Sequence, residues 1–156
     1  MKKVLIALDY DPTAQKVAEA GFSIAKAMNA EVILLHVISD PVYYSSVEYS
    51  PIMGLTDTLG VDPLKIGGIN RLTEVSQHFL DKIKHHLGDD AIVTEIVEGD
   101  FAETILNTSK QLHADVIVMG SHSRKWLENI VMGSVTADVL RQSAVPLFIV
   151  PIKKRS

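Results

Sequence analysis

The chain has 156 residues, of which 47% are hydrophobic and 22% charged, values that suit a soluble globular domain with a substantial core. A formal net charge of −4 argues against a protein whose main work is covering nucleic-acid phosphates, because such binding rests on an excess of Lys and Arg. Cysteine is absent, which excludes disulfides, thiolate metal sites and a cysteine nucleophile, and fits a reducing cytoplasm.

The first apolar run, Val4 to Leu8, is too short to cross a membrane, and Asp9 and Asp11 follow at once. It reads as a buried strand and not as a signal peptide. Asp11 is placed to cap a helix with Pro12 at its first position. Ala14, Val17, Ala18, Gly21, Ile24, Ala25 and Met28 then share one helical face. Val32 to Val37 is a second strand and contains His36. Ser39 to Gly68 breaks the compact pattern. It holds Pro41, Pro51, Pro63, Gly54, Gly60, Gly67 and Gly68 with Tyr43, Tyr44 and Tyr49, and its middle is expected to be a mobile insertion in preference to an ordered lid.

Leu72, Val75, Phe79, Ile83 and Leu87 form the apolar face of a second helix, closed by Gly88. Ile92 to Val97 is a third strand, mixed enough in character to lie near a sheet edge. Asp100 and Glu103 resemble a capping box ahead of Ile105, Leu106 and Leu112. Val116 to Met119 is a fourth strand. Ser134 is placed to cap a fourth helix, with Val135, Val139 and Leu140 facing inward. Val145 to Val150 is a fifth strand, and the Lys153-Lys154-Arg155 run after it reads as a solvated tail.

Alternation of strand and helix predicts one α/β domain over 1–156: a doubly wound, five-stranded parallel sheet with helices on both faces. With the order 3-2-1-4-5, ligands bind beyond the carboxyl ends of the strands, where the winding reverses. Asp9, ending strand one, would then face Gly120, ending strand four. After Gly120 comes the polar stretch Ser121-His122-Ser123-Arg124, and Gly133-Ser134-Val135-Thr136 opens a helix. Small residues allow a phosphate close to the backbone, and a helix N-terminus offers N–H groups and a positive dipole end. Ser134 and Thr136 add hydroxyls, although Ser134 also reads as a plain helix cap.

Val116-Ile117-Val118-Met119-Gly120-Ser121-His122, Gly133-Ser134-Val135-Thr136 and Val145-Pro146-Leu147-Phe148-Ile149-Val150 resemble the universal stress protein family, as do Val4 to Asp9 and His36-Val37. Nucleotide-binding members of that family carry Gly, two residues, Gly, nine residues, then Gly and Ser or Thr. The spacing here is Gly120, two residues, Ser123, nine residues, Gly133-Ser134, so a serine stands where the family has its second glycine. The resemblance implies a stress-response protein that binds ATP, ADP or AMP, with Mg2+ or Mn2+ assisting at the phosphates, and acts as a nucleotide-dependent switch or sensor. It implies that Ala7 and Leu8 line the base and that the backbone of Val37 reads the adenine edge. Asp9 would contact the ribose or the metal–phosphate region. Met119 and Gly120 would flank the ribose and phosphates, and Ser123, Gly133, Ser134, Val135 and Thr136 would surround the phosphates. Arg124 would add a phosphate contact, although it also reads as a plain surface arginine. The resemblance also implies a homodimer through the fifth strand.

The same residues bear on other functional classes. His85 and His86 are adjacent on a helix and cannot share a face, His78 lies two turns from His85, and His36 reads as a core residue. Only His122 falls near the expected site. There is no Gly-x-x-x-x-Gly-Lys-Ser/Thr, which excludes a P-loop ATPase, and no Gly-x-Ser-x-Gly elbow. No general base stands out, so any ATP hydrolysis would be slow. Two alternatives remain: a nucleotide-free interaction module of the same fold, and a phospho-aspartate receiver, which would need an acceptor acid ending strand three. Glu98-Gly99-Asp100 matches that poorly. Neither nucleic acid nor membrane is expected as a partner.

Overall fold

The structure, a computed structural model, describes residues 1–9, 12–39, 68–121 and 133–152. Five strands, β1 (Lys3–Ala7), β2 (Glu31–Ile38), β3 (Val93–Glu98), β4 (Val116–Gly120) and β5 (Leu147–Val150), form one parallel sheet. Its order is β3-β2-β1-β4-β5, as the sequence predicts. Among the described residues four helices accompany them: α1 (Ala14–Met28), α2 (Gly68–Leu87), α3 (Phe101–Gln111) and α4 (Ser134–Gln142).

The period-2 alternation of side chains sorts the strand residues onto two faces. Val4, Ile6, Val32, Leu34 and Val118 pack with Ala14, Val17, Ala18 and Ala25 of α1 and Leu80 and Ile83 of α2. Leu5, Ile33, Leu35, Val37, Ile117 and Met119 pack with Ala102 and Ile105 of α3 and Val139 of α4. Both faces of the central strands are therefore covered, which is why their sequences are nearly continuous apolar runs. Gly21 lets α1 lie directly on the sheet: a Cβ there would sit 2.6 Å from Ile6 Cδ1 and 2.8 Å from Ile6 Cγ1. β3, with its mixed sequence, takes one edge and β5 the other.

Several expected boundaries move. The first helix starts at Ala14, with Thr13 as N-cap and the Val17 N–H bonded to the Thr13 carbonyl at 3.1 Å. Pro12 is therefore in a turn and not at the first helical position, and Asp11 lies outside the described residues. The fourth helix is capped by Gly133 and not by Ser134, which is already helical. Leu140 is 48% exposed and not inward-facing, because one residue along a helix turns it about 100° from the fully buried Val139. The fifth strand begins at Leu147. The Ser143 hydroxyl donates to the Val145 carbonyl (2.7 Å) and accepts from the Val145 N–H (3.1 Å), holding Val145 in a turn before the ladder starts. Ile92 likewise lies just outside β3, its N–H bonded to the Asp89 carbonyl.

Other local expectations hold. Asp100 caps α3, its carboxylate accepting from the Glu103 N–H at 3.3 Å, and Gly88 closes α2 at φ +72°. The long insertion falls in residues 40–67, outside the described residues, while Gly68 already belongs to α2.

Candidate functional site

At the carboxyl ends of β1, β2 and β4 an open cleft lies where the winding of the sheet reverses. β1 contributes Ala7 and, just beyond its end, Leu8 and Asp9. β2 contributes Leu35 and Val37, which share a face because they are two apart. Met119 and Gly120 end β4, and Gly133, Val135 and Thr136 come from the start of α4. Sequence reasoning named all of these except Leu35, and the fold brings them together.

Ser134 does not line the cleft; it is exposed on the first turn of α4. Ser123 and Arg124, with His122, lie outside the described residues. Residues that sequence reasoning missed come from helix tops: Thr13, Ala14 and Val17 of α1, and Phe101 and Ile105 of α3. Phe101 and Ile105 stand one turn apart on one face of α3, and that spacing behind the Asp100 cap was the available signal.

Chemically the cleft has two ends. One is apolar, formed by Ala7, Leu35, Val37, Ile105 and Met119. The other is the N-terminus of α4, where first-turn N–H groups have no acceptor within the helix and the dipole end is positive. Gly133 is extended at φ −69°, ψ 162°, which any residue adopts, so its value there is the space it leaves and not its torsional freedom. Its N–H donates to the Ser121 carbonyl, and the Ser121 hydroxyl accepts from the Ile152 N–H at 2.9 Å, so the ends of β4 and β5 and the start of α4 are linked.

Thr136 departs from its expected role as a phosphate donor. Its hydroxyl donates to the Gly120 carbonyl at 2.8 Å, which uses its one proton within the protein.

Behind the cleft, on the opposite face of β2, His36 is fully buried, with Nδ1 2.9 Å from the Leu8 carbonyl. A carbonyl only accepts, so Nδ1 carries the proton. Burial holds the His36 pKa below the usual histidine value; the Asp9 charge and the bond to Leu8 pull the other way. No group of three or more His, Asp or Glu suited to a metal ion occurs among the described residues.

The strand order bears on the receiver alternative. A receiver places its acceptor strand beside β1, whereas here β2 lies between β1 and β3 and keeps the end of β3 away from Asp9.

Comparison with known proteins agrees with this geometry. The sequence profile described as the universal stress protein family matches residues 1–151. The chain belongs to this family. Universal stress protein MJ0577 of Methanocaldococcus jannaschii is 32% identical to it over 156 residues, covering 97% of this chain and 96% of that one. The solved structure of the hypothetical protein MJ0577 superposes with a TM-score of 0.73 at 29% identity, covering 99% of this chain and 98% of that one. A universal stress protein solved in complex with cAMP shares the fold, with a TM-score of 0.62 at 21% identity, covering 96% of each chain. Among the described residues of this universal stress protein, no helix is long and apolar enough to cross a membrane.

Proposed function

We propose that this universal stress protein binds an adenine nucleotide, ATP, ADP or AMP, in the cleft and acts as a nucleotide-dependent switch or sensor in a cytoplasmic stress response. The observation that carries the reading is the pairing, in one cleft at the reversal point of the sheet, of an apolar slot with a glycine-flanked helix N-terminus. Ala7, Leu8 and Val37 would hold the base, with the Val37 backbone against its edge. Met119 and Gly120 would flank the ribose and phosphates, and Gly133 and Val135 would meet the phosphates at the start of α4. Ser134 contributes there through its backbone N–H. Thr136 acts by fastening α4 to β4. Ser123 and Arg124 keep the phosphate roles that the family resemblance gives them. The relative solved with cAMP lends support, because its fold accommodates an adenine nucleotide.

Among the described residues, Asp9 is the acidic one that lines the cleft. One carboxylate suits a Mg2+ or Mn2+ ion held chiefly by phosphate oxygens and water, so the residues present fit a nucleotide–metal complex and not a cation bound by protein alone. Asp9 would hold such an ion or the ribose hydroxyls. Titration calorimetry with Mg-ATP, Mg-ADP and AMP, together with a search for nucleotide carried through purification, tests the reading. No heat, no thermal shift at millimolar nucleotide and no co-purified nucleotide would favour the nucleotide-free interaction module.

The other sheet edge of interest is β5, where Phe148 is 45% exposed. Pairing of β5 with its copy across a two-fold axis would cover it, and a homodimer is part of the proposal.

A further inference from the structure

His36 does not line the cleft, yet it governs a residue that does. β1 ends at Ala7, and the last bond of its ladder with β2 reaches the Leu8 N–H, while the Leu8 carbonyl is held from outside the ladder. Leu8 is thus held at both of its polar groups. Its N–H donates to the Leu35 carbonyl at 2.8 Å, and its carbonyl accepts from His36 Nδ1 at 2.9 Å. The Leu8 carbonyl and the Asp9 N–H belong to one rigid peptide plane, so fixing the direction of the first fixes the second. Asp9 follows directly from that plane, so its place at the cleft depends on it.

The histidine is in turn fixed. It is completely buried on the α1/α2 side of the sheet, and its ring meets Phe79 of α2 edge-on, with centroids 5.9 Å apart and planes at 72°. An apolar side chain would fill this space without a polar group to satisfy, so a histidine with its donor trained on one carbonyl needs a reason beyond packing.

We infer that His36 is a positioning residue of the nucleotide site: acting from behind β2, it fixes the Leu8–Asp9 peptide and thereby presents Asp9 to the cleft. This rests on the nucleotide reading above. Burial keeps the ring neutral, with the proton on Nδ1 where the carbonyl needs it.

Three substitutions separate positioning from packing. His36→Leu keeps apolar bulk and removes the donor. His36→Asn carries an amide N–H close to where Nδ1 stands, and His36→Gln carries it one carbon too far. In titrations with Mg-ATP, His36→Leu and His36→Gln should weaken binding about tenfold, the worth of one well-placed hydrogen bond, whereas His36→Asn should stay within about threefold. In an Asp9→Ala background His36→Leu should add no further loss, because the two residues act in series. In the nucleotide-free protein the Asp9 amide NMR signal should shift and exchange faster in His36→Leu and stay near wild type in His36→Asn. Equal losses in the Leu and Asn variants, wild-type binding in the Leu variant, or losses that multiply with Asp9→Ala would overturn the inference. If the wild type binds no adenine nucleotide, the functional reading fails by itself, and an Asp9 amide unmoved by His36→Leu then overturns the positioning role as well. If His36→Leu does not fold, His36→Gln against His36→Asn decides on the same readouts.

Discussion

Thr136 Oγ1 donates a 2.8 Å hydrogen bond to the Gly120 carbonyl, fastening the first turn of α4 to the end of β4. Thr136 is buried, and Gly120 and Gly133 both line the cleft. The bond therefore sets the separation between the two glycine-flanked walls between which phosphates would lie. Thr136→Val keeps the shape and removes the donor. It should cost about 1–3 kcal/mol of stability in urea unfolding, the range for a buried hydrogen bond whose acceptor is left behind. It should also weaken nucleotide binding, and Thr136→Ser should restore most of both. Full affinity in the Val variant would show that the wall spacing does not depend on this bond.

Asp9 and Gly133 should separate charge from space. Asp9 stands past the end of β1 and is partly exposed, so Asp9→Ala should leave the melting temperature nearly unchanged while weakening Mg-ATP binding. Gly133 is backbone-compatible with any residue, so Gly133→Val should fold, yet its branched side chain would occupy the phosphate approach and reduce affinity further than Asp9→Ala. Ser123→Gly restores the family pattern and should give tighter or unchanged binding. Calorimetry on the three variants checks the order, and wild-type binding by both Asp9→Ala and Gly133→Val would mean that the nucleotide lies elsewhere.

The architecture was legible because both faces of the central strands are buried, which turns each into a short apolar run that period and length identify. Element ends were less legible, because single local hydrogen bonds set them. Ser143 holds Val145 back from β5, and Gly133, not Ser134, occupies the cap of α4. In the site, Asp9, Gly120 and Gly133 could be read from strand ends and glycine spacing. Thr13, Ala14 and Val17 could not, because they reach the cleft only through the way α1 packs over the sheet, and Phe101 and Ile105 left only their one-turn spacing behind the Asp100 cap as a signal. In the sequence the hydroxyl of Thr136 reads as a ligand donor, and only its distance to the Gly120 carbonyl assigns its proton within the protein.

Gly21 makes a prediction about packing alone. Its missing Cβ would lie 2.6–2.8 Å from two atoms of Ile6 and 3.2 Å from Val118 Cγ1. Ile6 and Val118 are fully buried, so they have little room to move. Although alanine favours helix by about 1 kcal/mol over glycine, overpacking costs about 1–3 kcal/mol, so Gly21→Ala should be neutral to destabilising and Gly21→Val clearly destabilising. Chemical denaturation measures both; a stabilised Gly21→Val would show that α1 does not lie this close to β1.

Stability should fall on mild acidification because of His36. Its folded pKa is lowered from the ordinary 6.5 by burial, against the opposing pull of Asp9 and the Leu8 carbonyl. The unfolded chain therefore takes up a proton at a pH where the folded protein does not, so stability is fully present above about pH 6.5 and declines below it. Asp89 has its pKa lowered by hydrogen bonds from the Ala91 N–H and Lys26, and its contribution is lost only further down, below the ordinary carboxylate value. Urea midpoints between pH 7.5 and pH 5 should thus decline in the wild type and decline less in His36→Asn. Parallel curves would remove His36 as the cause.

The assembly prediction concerns Phe148. β5 is a sheet edge, and along it Phe148 is 45% exposed while Val150 is 5% exposed and packed with Val4, Ile6 and Val118. Only Phe148 is thus a fair probe of the edge, since a lysine at Val150 would bury a charge and unfold the protein for reasons unrelated to association. Pro146 and Pro151 bracket the strand and cannot donate backbone hydrogen bonds, which confines pairing with another copy to the four residues Leu147–Val150. Antiparallel pairing about a two-fold axis would set Phe148 of one copy close to the same strand of the other, hiding an aromatic ring that otherwise stands in water. Phe148→Lys would instead place like charges near each other across that axis, at little cost to the isolated subunit because the ring is already half out. Light scattering should report a dimer for the wild type and a monomer for Phe148→Lys, with unchanged far-ultraviolet circular dichroism. A wild type that is monomeric at high concentration, or a Phe148→Lys variant that remains dimeric, would refute pairing through β5.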